Sequence, residues 1–192
     1  MLGLWSATSP PKPMQILAAP FSGAIAGDYE SIATVSVGVG GQATIEFSGI
    51  ASTYKHLQIR GLVKGATGTQ LQVRLNSDTT ANFSSHNLAG DGATAASTGS
   101  ANVTFFRQFP YSGLPTASNT FGVLVMDILD YADTNKRKTV RTLYGQDSNG
   151  SGEVGLSSGA WFGTAAVSTV TFFLPSGSFP QYSTLALYGI KG

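Results

Sequence analysis

Thr120–Gly155 reads TFGVLVMDILDYADTNKRKTVRTLYGQDSNGSGEVG, and Ala166–Gly192 reads AVSTVTFFLPSGSFPQYSTLALYGIKG. Four or five apolar runs of strand length lie in these two stretches. Each is closed by Gly, Ser, Asn or Asp, the residues that punctuate strands. The same rhythm extends upstream. Alternation of apolar and polar residues predicts strands at Ser31–Val37, Gln42–Phe47, His56–Leu62 and Thr69–Leu75, with a short one at Phe83–Leu88. Ala89–Ala101 (AGDGATAASTGSA) reads as a low-complexity loop, its side chains too small to hold a core. A strand at Asn102–Phe109 and a Pro/Gly loop at Pro110–Asn119 follow. Thr120–Leu129, Thr139–Asp147, Gly155–Phe162, Ser168–Leu174 and Ser183–Ile190 are the remaining expected strands. Val125–Asp133, the nearest approach to a helix, reads as a strand end. The expectation is an all-β chain, an antiparallel β-sandwich or jelly roll of roughly ten strands.

Length and composition agree. The chain of 192 residues suits one domain with an appended arm. Hydrophobic residues make up 42% and charged residues only 11%, with net charge +1. No global field draws it to nucleic acid or anionic lipid, and no apolar run is long enough for a membrane helix. A charge-poor surface suits lasting contact with other protein, since charge is costly to desolvate. There is no cysteine, which excludes disulfides and Cys-based zinc sites.

Residues 1–27 differ from the rest. Lys12 is their sole charge, and Pro10, Pro11, Pro13 and Pro20 impose an extended path. Its start lacks the basic region of a secretory signal. The expected division is an extended N-terminal arm over 1–27 and a β-sandwich over 28–192. Leu2, Leu4, Trp5, Pro10, Pro11, Pro13, Ile16 and Leu17 are the candidate anchors by which the arm lies on a neighbouring subunit.

Motifs with chemical potential have plainer readings. Gly155-Leu156-Ser157-Ser158-Gly159 matches G-x-S-x-G, but that motif needs a strand-to-helix turn, and strand-like sequence follows here. Gly38-Val39-Gly40-Gly41 precedes a strand and reads as a hairpin turn, not a dinucleotide loop. Asp147-Ser148-Asn149-Gly150-Ser151-Gly152 opens like a calcium loop, yet its twelfth position is Ser158. A polar turn is the expectation, with calcium as the alternative. Asp127, Asp130 and Asp133 precede Lys136, Arg137, Lys138 and Arg141, an expected hairpin tip with ion pairs. His56 and His86 lack a third metal ligand. Trp161, Phe162, Phe172, Phe173 and Phe179 are expected core, with the outward member of each adjacent pair a candidate interface anchor. No cofactor and no enzymatic activity are expected.

STYKHLQIRG (Ser52–Gly61), LQVRLNSDTTANFSSH (Leu71–His86), VMDILDYADTNKRKTVRTLYG (Val125–Gly145), GSGEVGLSSGAW (Gly150–Trp161) and YSTLALYGIKG (Tyr182–Gly192) carry a resemblance. From about Ile32 onward the chain resembles small virion proteins of tailed bacteriophages, common in marine and cyanobacterial phages. The resemblance implies a β-sandwich component of the virion, on the capsid shell or in the tail. The expected function is a capsid decoration, or cement, protein. It would bind the major capsid protein or other virion proteins, as a homotrimer, with no nucleic-acid or membrane partner. The alternative is a tail-fibre or tailspike module recognising host polysaccharide, using Trp161, Tyr131 or the Ala89–Ala101 loop.

Overall fold

A computed structural model describes residues 27–108 and 113–192, and every regular element among them is a strand. The strands are β1 (Tyr29–Ser36), β2 (Thr44–Phe47), β3 (His56–Val63), β4 (Leu71–Leu75), β5 (Phe83–Gly90) and β6 (Ala95–Val103). They continue as β7 (Phe106–Gln108), β8 (Gly122–Leu129), β9 (Lys138–Asp147), β10 (Gly152–Trp161), β11 (Val170–Phe173) and β12 (Thr184–Ile190). All pair antiparallel, in two sheets ordered β1-β12-β3-β8-β9-β10-β5-β6 and β2-β11-β4-β7. The arm anchors inferred from sequence all lie in residues 1–26, outside the described residues.

This order is a jelly roll with additions. Setting aside β5-β6 and β9-β10, the other eight strands form sheets β1-β12-β3-β8 and β2-β11-β4-β7, the double-sheet arrangement of that fold. The two extra hairpins interrupt the chain after β4 and after β8. Both join the same sheet beyond β8 and pair through β10 and β5. Strict alternation fixes which side chains go inward. Leu57 and Ile59, Leu124 and Met126, and Leu185 and Leu187 are fully buried between the sheets. Ile45, Val73 and Phe172 face them from the smaller sheet.

Most expected strands form, with ends displaced by a few residues. Two expectations need correction. The expected loop Ala89–Ala101 is the end of β5 and most of β6. Its Ala, Ser and Gly residues have weak strand preference, but β6 needs no core-filling side chains because it is an edge strand. The turn is set by Asp91, whose Oδ1 accepts hydrogen bonds from the backbone N–H of Ala93 (2.9 Å) and Thr94 (2.7 Å). Further along, the Ser85 and Ser100 hydroxyls meet at 2.9 Å. The expected strand Asn102–Phe109 is broken instead. Asn102 has φ 54°, β6 stops at Val103, and β7 belongs to the other sheet. Between Asp147 and Gly152, Asn149 (φ 56°) and Gly150 (φ 99°) make a tight hairpin turn.

The G-x-S-x-G string has a packing explanation. Gly155, Ser157 and Gly159 occupy inward positions of β10. A Cβ at Gly155 would overlap the Tyr144 ring, and one at Gly159 the Phe106 ring. Ser157, buried, donates to Asn87 Oδ1 on β5. Phe106 in turn meets Phe83 edge-on at 5.0 Å, and Phe83 stacks on Trp161 at 6.5 Å. Trp161 Nε1 donates to Asp78 Oδ2 (2.7 Å). Burial pushes the Asp78 carboxyl up, but hydrogen bonds from Thr80, Trp161 and Asn82 outweigh it and hold the pKa at about 2.

Two expectations follow. Gly159→Ala should destabilise the fold by about 1–3 kcal/mol, because Phe106 is fully buried and has nowhere to move. Adding Phe106→Leu should restore part of the loss in urea denaturation. Asp78 has a depressed folded pKa, so its contribution is complete above the unfolded value of 3.8 and fades as pH falls toward 2. The stability difference between the native chain and Asp78→Asn should therefore shrink from about 1 kcal/mol at pH 6 to near zero at pH 2, after allowance for solvent screening. A difference that stays constant with pH contradicts this assignment.

Candidate functional site

Covering one face of an eight-stranded sheet with a four-stranded one leaves the other face outward. On that face two rows of side chains cross the strands in register. The first runs Leu62, Val123, Gly145, Val154, Gly90 over β3, β8, β9, β10 and β5. The second runs Val125, Leu143, Leu156, Leu88 over β8, β9, β10 and β5. Neither row contains a charge. Leu143 and Leu88 are each 57% exposed and Val154 62%. Scattered exposed apolar residues are ordinary, but a contiguous field of them marks a contact surface. At its far end β6 presents only small groups. There a shallow depression of about 480 Å³ lies among His86, Leu88, Ser97, Gly99 and Leu156.

A polar rim borders the field on the β1–β12–β3 side. Arg60 continues the second row, paired with Val125. Its Nε donates to Gln58 Oε1 (2.7 Å), and its guanidinium lies 5.1 Å from the Tyr29 ring centroid. Tyr29 stacks on Tyr188 at 4.8 Å and donates to the same Gln58 Oε1 (2.7 Å). Gln58 Nε2 donates to Asp127 Oδ1 (2.7 Å). An apolar centre with a hydrogen-bonded rim is the anatomy of a protein-binding patch.

The charged tip after β8 forms as a turn held by ion pairs. Asp130 contacts Lys136 (2.6 Å) and Lys55 (2.8 Å), and Lys136 reaches Asp133 at 3.3 Å. Hydrogen bonds from Lys136 and then Lys55 hold the Asp130 carboxyl well below the usual carboxylate range. The backbone N–H of Asp130 donates to His56 Nδ1 (3.0 Å). Lys138 is buried, and its ammonium donates to the carbonyls of Asp133, Lys136 (2.8 Å) and Thr164 (3.1 Å). Burial pushes its pKa down, with Asp133 and Asp130 opposing. These groups fasten the turn to its neighbours.

The other sequence candidates are placed as follows. Trp161 and Tyr131, suggested for sugar stacking, are 4% and 0% exposed, so neither offers a ring face. Each is held by hydrogen bonds as well, Tyr131 donating to the Ala51 carbonyl. Phe172 and Phe179 are core. Phe162 and Phe173 are the outward members of their pairs, and an arginine covers each: Arg137 at 4.7 Å from Phe162 and Arg74 at 4.3 Å from Phe173. In the Asp147–Gly152 turn, Asp147 Oδ1 accepts from the Asn149 N–H (2.8 Å). Among the described residues no group of three His, Cys, Asp or Glu side chains is placed to hold a metal ion. The two outward rows were not anticipated. Their signal was the run Val123-Leu124-Val125-Met126, in which both faces of a strand are apolar.

The chain matches no protein-family model, no curated protein and no solved structure.

Replacing Leu143 and Leu156 together by Thr should cost under about 1 kcal/mol, the worth of a single cross-strand pair. It should also lower binding of an apolar fluorescent dye to the folded protein. A much larger loss in thermal unfolding would mean that these side chains are packed and not free to bind.

Proposed function

We propose that the chain is a structural protein of a bacteriophage virion, and within the virion a capsid decoration protein. The observation that carries a binding role is the uncharged apolar field on the outer face of the larger sheet. The phage setting rests on the sequence resemblance. The jelly roll is compatible with it, although a fold by itself does not assign a role.

Binding would work by buried area. Each Å² of apolar surface removed from water contributes about 25 cal/mol, less the cost of immobilising the partners. The arm supplies further area. Leu2, Leu4, Trp5, Ile16 and Leu17 are its apolar anchors, and Pro10, Pro11 and Pro13 restrict its free conformations, so less entropy is lost on docking. Partners of this chemistry are other virion subunits, the major capsid protein first, and further copies of the chain in a trimer. A tail-fibre module remains the alternative of a different class. The buried state of Trp161 and Tyr131 removes two of the side chains that would have favoured it.

Imaging of the intact particle should place the protein on the outer shell. Deleting residues 1–20 should leave a folded domain that no longer coats capsids. Full occupancy by the shortened protein would overturn the arm's role, and density at the tail in place of the shell would move the chain to the fibre class.

A further inference from the structure

The outward rows have no cover among the described residues, and the chain itself contains a segment suited to them. We propose that the segment of residues 1–26 docks its latter part, around Ile16, Leu17 and Phe21, on the outer face of the eight-stranded sheet, along the strip between Leu62 and Leu88. This deepens the subunit-contact role above by naming the occupant of the face.

Four observations converge. The first is chemical likeness: the segment has one charge, Lys12, and carries Leu2, Leu4, Trp5, Ile16, Leu17 and Phe21. The strip it would meet has none. The second is reach. The described chain begins at Gly27, beside β1, the edge strand of this same sheet. From β1 to β10 is five strand spacings, about 24 Å. An extended path of about 3.1 Å per residue takes Leu17 roughly 31 Å from Gly27, far enough to stand over Leu143 and Leu156. The whole segment spans roughly 80 Å when extended, so its first residues reach beyond this sheet.

The third is backbone chemistry. The strands beneath the strip have used their N–H and C=O groups on one another, so the face offers side chains only. A docked segment must therefore leave its own backbone to water. Proline suits this, because it has no N–H to satisfy and its conformation needs no hydrogen-bonded neighbour. The fourth is shape. The depression beside β6 is lined by Ser97 and Gly99 on one side and by His86, Leu88 and Leu156 on the other. It accepts one bulky group, and on the same extended path Ile16 stands roughly 34 Å from Gly27, against about 29 Å from β1 to β5.

The absence of cysteine makes the test clean. Two double variants of the full-length protein carry one cysteine in the segment and one on the strip: Leu17→Cys with Leu143→Cys, and Ile16→Cys with Leu88→Cys. A control pairs Leu17→Cys with Glu46→Cys, on the outward face of the smaller sheet. All the strip and control positions are exposed, so folding is retained. After mild oxidation, non-reducing gels and peptide mapping report the adducts. Docking should make the strip pairs cross-link about tenfold more than the control, through the raised local concentration. Adducts between two chains support both the docking and the arm as a bridge to neighbouring subunits. Adducts within one chain support the docking and overturn the bridge. Yields no higher than the control overturn the docking itself, while the virion assignment stands or falls separately by imaging.

Discussion

The contact of Phe106 with Gly159 is the constraint on which the arrangement turns. The eight strands of the jelly roll close their own core. The hairpins β5-β6 and β9-β10 extend only one of its sheets, so their inner faces reach past most of the smaller sheet. The short strand β7 meets them there. Its Phe106 ring enters the space that a side chain at position 159 would occupy, and Phe83 and Trp161 close around it. With a larger residue at 159, β7 could not approach β10. The inner side of the extension would then lack an apolar seal.

The same short stretch shows how polar residues are accommodated inside. Ser157 on β10 and Asn87 on β5 are buried side by side and satisfy each other. Lys138, at the start of β9, is buried with three carbonyl acceptors, which offset part of the cost of removing its charge from water. These bonds hold the register of β9 and β10. A one-residue slip would exchange the inner and outer sets, moving Tyr144 outward and Leu143 into the core. The flat apolar field outside thus depends on the polar bonds inside.

Much of the fold was legible because the signal for a half-buried strand is local. HLQIRGLV and TLALYGI alternate cleanly and form β3 and β12 with nearly the expected bounds. The β5-β6 hairpin was not legible from side-chain size, since an edge strand of Ala, Ser and Thr carries no core-facing pattern, although Asp91-Gly92 marked its turn. The sheet change between Val103 and Phe106 was also hidden. Phe105 and Phe106 point to opposite sides, and apolar pattern alone does not say that the strand has left its sheet. The outward rows were hidden differently. Each apolar residue in Val123–Met126 looked like core, and the faces separate only once the partner strands are known. Of the candidate contact residues, the sequence suggested the arm and missed the sheet face.

An uncharged field of branched side chains on a rigid sheet suits one kind of work. Catalysis needs groups aimed at a place where charge develops, and these two rows of Leu, Val and Gly provide none. Recognition of a sugar or nucleotide needs polar groups converging on a concave site, whereas the paired polar groups here sit at the rim and already bond one another. What the rows provide is area that gains free energy by leaving water and is nearly indifferent to salt. The charge-poor composition then has a physical reading: each charge placed on such a face would have to be desolvated when a partner covers it. On this face the charges stand at the border of the field, at Arg60 and in the Asp127–Arg141 pair, and beyond it at the Lys55–Asp130–Lys136 tip. They can fix the orientation of a partner there without opposing its burial at the centre.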